Sequence, residues 1–221
     1  MKLQNSPPNS AELATPTEIE LKLRLPPELV GTLLAQPILS ARTPQKYRLL
    51  NTYYDTPELD LLDLGVALRL RQKGASLWLM TVKKAISCEA GLAQRREWEV
   101  PTQPGIFDFS VVSDADLRTL LVGYLPSLRP IFSTDFERTA WTLAHQGSII
   151  ELALDQGEIR APLNGTNERR EALCEVELEL LEGASPAALF DLARQLAVNV
   201  PSLQPENCSK AERGYTLAAG A

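Results

Sequence analysis

The sequence predicts an α+β domain in which eight mostly antiparallel strands close into a barrel, or tunnel, with a polar, charged lumen and helices packed outside. Several segments alternate charged and apolar residues with period two, the pattern of strands with two different faces. A few amphipathic helical segments are available to cover the apolar faces. The 221 residues are 44% apolar and 23% charged, which suffices for one sizeable core.

The first half of the chain predicts five strands and two helices. Residues 1–15 are polar and include adjacent prolines, so we expect a flexible N-terminal tail. The segment TEIELKLRL (17–25) then alternates strictly between charged and apolar residues, and two prolines end it. A short helix is expected at 26–39. The next strands are predicted at 46–56, 65–73, 76–84 and 94–100, and a capped helix follows at 113–125.

The second half repeats these patterns. Two strands are predicted at 133–147 and 148–160, joined by a turn at Gln146 and Gly147. LCEVELELLEG (173–183) alternates like the first strand. The segment at 185–200 has the apolar spacing of an amphipathic helix, and a short helix is expected at 209–218.

Charged residues at i, i+2 positions recur on these predicted strands. A single such strand usually indicates a sheet with one solvated face, but recurrence indicates that the charged faces share one lumen. The sets are Glu18/Glu20/Lys22, Arg69/Arg71, Arg95/Glu97/Glu99, Glu151/Asp155 and Glu175/Glu177/Glu179. Arginine and lysine bind phosphate oxygens, and carboxylates bind Mg²⁺ or Mn²⁺. Basic residues alone would only bind an anion, so the interleaved glutamates favour metal-assisted hydrolysis of a polyphosphate.

Composition excludes several other classes of function. A net charge of −6 argues against general nucleic-acid binding. Three cysteines without metal-type spacing, Cys88, Cys174 and Cys208, favour reduced thiols and a cytoplasmic location. The first 17 residues contain no apolar signal region, and no stretch has the length of a membrane helix. The single histidine, His145, lies in a predicted turn, which disfavours a histidine-ligated metal or a Ser-His-Asp triad.

An ordered series of motifs resembles the CYTH superfamily, also called triphosphate tunnel metalloenzymes. The resemblance covers about residues 17–217, and we place the domain at 16–218. It rests on Glu18-Ile19-Glu20-Leu21-Lys22, the ExExK signature, followed by YYDT (53–56), ALRLR (67–71), TVKK (81–84), RxExE (95–99), ALDQGE (153–158) and ExExE (175–179). The closest similarity is to the CYTH domain of bacterial inorganic triphosphatases, where a CHAD domain often follows. This sequence ends at Ala221, so we expect no CHAD domain.

The resemblance implies roles for twelve residues. The expected metal ligands are Glu18, Glu20, Asp155, Glu175 and Glu177. The expected triphosphate contacts are Lys22, Arg69, Arg71, Lys83, Arg95, Arg138 and Lys210. The expected catalytic residues are Glu18, Glu20, Lys22, Glu175 and Glu177. Glu179, Glu97 and Glu99 could bind metal or form ion pairs, with Glu97 favoured over Glu99. The strand register leaves open whether Lys83 or Lys84 faces the lumen.

The expected activity is hydrolysis of inorganic triphosphate to pyrophosphate and phosphate with Mg²⁺ or Mn²⁺, by metal-assisted attack of water. The alternatives are a thiamine triphosphatase, a class IV adenylate cyclase or a non-catalytic polyphosphate-binding module. We expect a triphosphate as the partner, and neither nucleic acid nor a membrane. The oligomeric state stays open.

Overall fold

The computed structural model describes residues 17–162, 167–183 and 185–220, so the predicted tail at 1–15 lies outside the described residues. The strands are β1 (Thr17–Arg24), β2 (Gln45–Asp55), β3 (Val66–Lys73), β4 (Leu77–Glu89), β5 (Leu92–Thr102), β6 (Arg129–His145), β7 (Ser148–Pro162), β8 (Glu168–Glu182) and β9 (Gln204–Pro205). The α-helices are α1 (Val30–Leu34), α2 (Pro37–Ser40), α3 (Asp60–Asp63), α4 (Ala115–Tyr124), α5 (Ala187–Ala197) and α6 (Lys210–Ala219). Short 3₁₀ turns lie at Pro27–Leu29, Phe109–Val111 and Leu125–Ser127.

The first eight strands close into a barrel. Their order is β5-β4-β3-β2-β6-β7-β8-β1, and an additional β1–β5 pairing joins the two ends. All neighbouring strands run antiparallel. The predicted closed eight-stranded antiparallel barrel is therefore confirmed. The two-residue β9, which pairs with β1 outside the ring, was not predicted.

The strand register places the charged sets on a common face. Glu18 lies opposite Arg95 on β5, and Glu20 lies opposite Glu179 on β8. Residues paired directly across two strands point to the same side of a sheet. The same parity continues around the ring, so the charged faces meet inside the barrel.

The apolar faces of the strands pack outward against helices. On one side Leu21 and Leu178 belong to a core with Leu189 and Leu192 of α5. On the other side the leucines of β3 pack with the buried leucines of α4, whose N-terminus is capped by the Asp114 carboxylate. Each fully buried leucine stabilises the fold by about 1.5–3 kcal/mol. The predicted helix at 26–39 is divided into a 3₁₀ turn and the short helices α1 and α2, and α2 begins at Pro37, which has no N–H to continue α1.

Helix α6 differs from the other helices because it packs against inward-facing residues. Its Tyr215 shares a cluster with Tyr53, Phe132 and Ile159 of the barrel interior. The backbone of Gly214 approaches Phe132 so closely that a Cβ there would lie 2.1 Å from the ring. The helix therefore covers one end of the lumen. Among the described residues, no helix is long and apolar enough to cross a membrane.

Candidate functional site

A cavity of about 820 Å³ occupies the barrel interior and is lined by all eight strands and by α6. Ten of the twelve predicted site residues line it: Glu18, Glu20, Lys22, Arg69, Arg71, Lys83, Arg95, Arg138, Glu177 and Lys210. The remaining two, Asp155 and Glu175, are buried directly beside it and contact Lys210. The structure thus brings all twelve residues into one region.

The most tightly packed charges surround Lys210 at the N-terminus of α6. Its Nζ lies 2.7 Å from Asp155 Oδ2, 2.6 Å from Glu175 Oε1 and 2.6 Å from Glu177 Oε1. One carboxylate oxygen from each of these three acids lies within 4.8 Å of one from each of the others. Burial opposes the charged form of Lys210, but the three carboxylates outweigh it and raise its pKa. We call these four residues the Lys210 cluster.

Arg138 adds a second cation to this cluster. Its Nε and Nη2 donate to the two carboxylate oxygens of Asp155 at 2.7 Å each, and Nη2 also donates to Glu177. Burial disfavours ionisation of Glu177, but Lys210 and Arg138 keep its pKa well below the usual range. Asp155 and Glu177 are therefore balanced by cations of the chain itself. Glu175 is balanced less completely: its Oε1 lies 2.6 Å from Lys210 Nζ but accepts no well-directed hydrogen bond among the described residues, and burial raises its pKa.

A second group of acids, Glu18, Glu20 and Glu179, is less well balanced. Glu18 accepts two hydrogen bonds from Lys83, at 2.6 and 2.8 Å. Glu20 is buried, and its Oε1 has no hydrogen-bond donor among the described residues; the nearest cations are Arg95 at 3.7 Å and Lys22 at 3.9 Å.

Glu179 has no ion pair among the described residues. Burial, and then the negative charge of Glu18, raise its pKa to about 8. Glu20 and Glu179 are therefore uncompensated carboxylates that a bound cation would stabilise, and Glu18 lies beside them but is paired with Lys83. We call Glu18, Glu20 and Glu179 the open acidic group.

The two arginines of β3, of which Arg69 is buried and Arg71 half-buried, have no carboxylate partner within 4.0 Å among the described residues. Arg69 donates from Nε to Thr81 Oγ1 at 3.3 Å and from Nη1 to the Tyr53 hydroxyl at 3.5 Å. Arg71 donates from Nε to Asn51 Oδ1 at 2.7 Å. The remaining guanidinium donors are available for an anion.

The electrostatic environments of the two arginines differ, and only that of Arg71 favours an anion. Burial, and then the charges of Arg69 and Arg138, lower the pKa of Arg71 to about 10, so Arg71 stays protonated at neutral pH. Burial also opposes the charge of Arg69, but Tyr53 and nearby glutamates outweigh it and raise its pKa. The two side chains are spaced about 7 Å along the strand, and we call them the β3 arginine pair.

The register decides between the two lysines of TVKK. Lys83 lies in the cavity, where it contacts Glu18 and lies 3.1 Å from Glu97. Lys84 points outward and pairs with Asp114, the capping residue of α4, at 3.1 Å. Glu97 therefore takes part in an ion pair with Lys83.

Sequence reasoning missed two basic residues. Arg213 donates to Glu171 at 2.7 Å and to Glu175 at 3.2 Å, so it also supports the Lys210 cluster. Arg213 could have been found from its i, i+3 spacing from Lys210, which places both residues on one face of a predicted helix. Lys73 lines the cavity and lies 4.2 Å from the ring centroid of Tyr47. It continues the i, i+2 series of the β3 arginine pair to the end of the strand.

Comparison with known proteins gives a consistent result. The CYTH domain model matches residues 16–215. The inorganic triphosphatase of Haemophilus influenzae is 37% identical over 207 residues, which cover 91% of this chain and 55% of that protein. The chain thus spans about half the length of this curated relative.

Two solved structures share the fold. An adenylyl cyclase candidate from Hippeastrum, for which a dominant triphosphatase activity is described, matches with a TM-score of 0.64 at 18% identity, over 92% of this chain and 96% of that one. A protein from Pyrococcus horikoshii OT3 matches with a TM-score of 0.55 at 22% identity, over 89% and 97%. At these identities the structures support the fold alone. The family match over most of the sequence, together with the curated relative, shows that this chain belongs to the CYTH domain family.

Proposed function

We propose that this domain hydrolyses inorganic triphosphate to pyrophosphate and phosphate with a divalent cation. The observation that carries the proposal is one cavity that contains both the β3 arginine pair and the open acidic group. The pair offers unpaired guanidinium donors to an anion, and the acids offer oxygen ligands to a metal. The curated relative from Haemophilus influenzae carries the name of this activity.

The β3 arginine pair supplies the first phosphate contacts in this proposal. Its donors meet neutral partners only, so binding a polyanion breaks no ion pair there. The other five predicted contacts, Lys22, Lys83, Arg95, Arg138 and Lys210, already lie near carboxylates. They would contribute charge around the substrate, and a bound polyphosphate would compete with their present partners.

The donor set fits Mg²⁺ or Mn²⁺, which prefer oxygen ligands. The unpartnered oxygen of Glu20 and the raised pKa of Glu179 support ligation by the open acidic group. The ligand set expected from the sequence, Glu18, Glu20, Asp155, Glu175 and Glu177, stays part of the proposal, and Glu179 joins it. In the Lys210 cluster, however, a metal would have to compete with an ammonium group for the same oxygens. When bound, the metal would neutralise charge on the phosphate oxygens.

The residues of this chain need only orient the substrate and stabilise its charge. In the reaction a water oxygen forms a bond to the terminal phosphorus, and the bond to the bridging oxygen breaks and releases pyrophosphate. Such phosphoryl transfer requires positioning and electrostatic stabilisation more than a covalent nucleophile. The proposal includes a cytoplasmic location, where the three free cysteines would stay reduced.

A phosphate-release screen tests the function. Tripolyphosphate, pyrophosphate, ATP and thiamine triphosphate are compared, each with Mg²⁺, with Mn²⁺ and with EDTA. We expect the highest kcat/KM for tripolyphosphate, and only with metal. Comparable kcat/KM for ATP or thiamine triphosphate would contradict the substrate. Cyclic AMP from ATP would indicate a cyclase, and thermal stabilisation by tripolyphosphate without turnover would indicate a binding module.

A further inference from the structure

Asp55 is a fully buried carboxylate at the end of β2, within the YYDT segment, and it lies outside the cavity lining. It accepts hydrogen bonds from the backbone N–H groups of Thr56 at 2.7 Å, Leu61 at 2.9 Å and Leu62 at 3.0 Å. A fourth bond comes from the hydroxyl of Tyr215 at 2.7 Å. Among the described residues, Asp55 has no cationic partner. These four donors satisfy the buried carboxylate oxygens.

The bond to Tyr215 joins segments 160 residues apart in the sequence. Tyr215 lies in the middle of α6, and its ring meets Phe132 edge to face at a centroid distance of 5.2 Å. Phe132 in turn stacks on Tyr53, a cavity residue, at 4.4 Å. Burial and the bond to Asp55 raise the pKa of Tyr215, so its hydroxyl stays protonated and remains a donor.

The same helix carries Lys210 at its first position. Because α6 is a single ten-residue helix, the position of Tyr215 determines where Lys210 enters the lumen. Lys210 makes three contacts of 2.6–2.7 Å to carboxylates, and charge pairs in a low-dielectric interior weaken when the distance grows. A small shift of α6 would thus disturb the whole Lys210 cluster.

We propose that Asp55 is a positioning residue for the cavity. Through the hydroxyl of Tyr215 it fixes α6 and thereby places Lys210 among Asp155, Glu175 and Glu177. The kinetic part of this inference rests on the proposed triphosphatase function, whereas the structural part does not. Tyr215 also lines the cavity, but its hydroxyl is bonded to Asp55, and neither residue needs to touch the reacting phosphorus for the effect to appear.

The test variant is Tyr215→Phe, which removes one hydroxyl and keeps the ring. Tyr54→Phe is the matched control, because Tyr54 is the neighbouring strand residue whose ring packs on Phe107 outside the barrel. Its hydroxyl has no hydrogen bond to another described residue. We expect Tyr215→Phe to lower kcat/KM for tripolyphosphate about 10-fold, the size expected for one buried hydrogen bond to a charged group. Tyr54→Phe should stay at the wild-type value.

A double-mutant cycle separates positioning from a general structural role. If Tyr215 acts by placing Lys210, Tyr215→Phe should have little further effect on kcat/KM in a Lys210→Met background. A purely structural role would instead give independent, multiplicative losses in the two backgrounds. Multiplicative losses, or wild-type kinetics of Tyr215→Phe, would overturn the proposal.

Amide hydrogen exchange gives a readout that needs no activity. Exchange of the α6 amides should accelerate in Tyr215→Phe and stay unchanged in Tyr54→Phe. Unchanged α6 exchange in Tyr215→Phe would overturn the structural part. If the wild type releases no phosphate, the proposed function fails, but the exchange experiment still decides whether Asp55 fixes α6.

Asp55→Asn is the companion variant. It should show the same acceleration of α6 exchange as Tyr215→Phe. It should also have a lower Tm, because it weakens the bonds to the N–H groups around α3 as well. An Asp55→Asn protein with wild-type α6 exchange would contradict the role of the carboxylate.

Discussion

The β3 arginine pair and the Lys210 cluster face the same lumen but differ in whether their charged groups have partners of opposite charge. In the cluster every buried acid meets a cation of the chain, with Nζ–oxygen distances of 2.6–2.7 Å. In the pair, the closest partners of Arg69 and Arg71 are a threonine, a tyrosine and an asparagine. The charges of the cluster are largely neutralised within the chain, although burial still raises the pKa of Glu175, whereas the pair has no carboxylate within 4.0 Å among the described residues.

Because of this difference, we expect the cluster to contribute mainly to stability and the pair to contribute mainly to substrate binding. Removing one member of a neutralised buried group leaves the others without a partner, so the cost appears mainly in stability. A pair of unpaired cations already bears its desolvation cost, and that cost is relieved only when an anion binds. Substitutions in the cluster should therefore change folding first, and substitutions in the pair should change substrate handling first.

Replacement of Lys210 by methionine should give the largest effect on stability. The change leaves three buried carboxylates with less compensation, and we expect the free energy of unfolding to fall by about 3–5 kcal/mol. Urea unfolding in EDTA measures it. Lys84→Met is the control: its partner Asp114 lies in a more exposed pair, worth about 1 kcal/mol or less. Equal stability of the Lys210→Met protein and the wild type would show that the cluster does not depend on its ammonium group.

Replacement of either β3 arginine by alanine should give the largest effect on activity. We expect kcat/KM for tripolyphosphate to fall by about 10²–10³, the scale for losing one preorganised electrostatic group. Lysine should restore only part of it, because the planar fork is lost. The free energy of unfolding should change less than in Lys210→Met, since neither arginine has a carboxylate within 4.0 Å among the described residues. Arg48→Ala, outside the barrel, is the matched control. Wild-type kinetics in both alanine variants would make the pair ordinary buried charge.

The barrel could be predicted from the sequence because the pattern that indicates each strand lies within that strand. Period-two alternation places Glu18 and Glu20 on one face without knowledge of any partner strand. The ordered motifs then identified the strands that carry the remaining charges. The two-residue β9 lacked such a pattern, and its pairing with β1 depends on tertiary contacts.

The distribution of partners inside the lumen could not be predicted. That Lys210 contacts three acids depends on where α6 enters the barrel, and its ten residues do not encode that position by periodicity. The inward orientation of Lys83 depends on the strand register, and a shift of one residue would turn Lys83 outward. Glu20 and Glu179 likewise lack a close cationic partner because the lysines and arginines around them pair with other carboxylates, and the sequence does not show which pairs form.

Metal dependence can distinguish the open acidic group from the Lys210 cluster. Glu20→Gln should raise the Mg²⁺ concentration for half-maximal phosphate release by roughly 10- to 100-fold, the range seen for groups that support a bound metal. Glu175→Gln should raise it much less, because Glu175 contacts Lys210 and Arg213. An equal or larger shift for Glu175→Gln would place the metal in the cluster, with the ammonium of Lys210 displaced.

The smallest expected effect is a pH dependence of stability from Glu179. In the folded, metal-free protein its pKa is raised from 4.5 to about 8, so the folded state keeps a proton that the unfolded state releases above pH 4.5. The free energy of unfolding should therefore fall as the pH rises from about 4.5 to about 8. Glutamine cannot ionise, so the Glu179→Gln protein should lack this component.

The free energies of unfolding of the wild type and of Glu179→Gln are measured against pH by urea unfolding in EDTA. Between about pH 4.5 and pH 8 they should diverge, with the variant becoming the more stable protein. One pKa unit corresponds to about 1.4 kcal/mol, and solvent screening at this partly exposed residue reduces the total, so we expect a divergence of about 1–2 kcal/mol. Saturating Mg²⁺ should remove the wild-type decline, because a bound cation favours the ionised carboxylate. Parallel curves in EDTA would mean that Glu179 is compensated in solution, and the open acidic group would then reduce to Glu18 and Glu20.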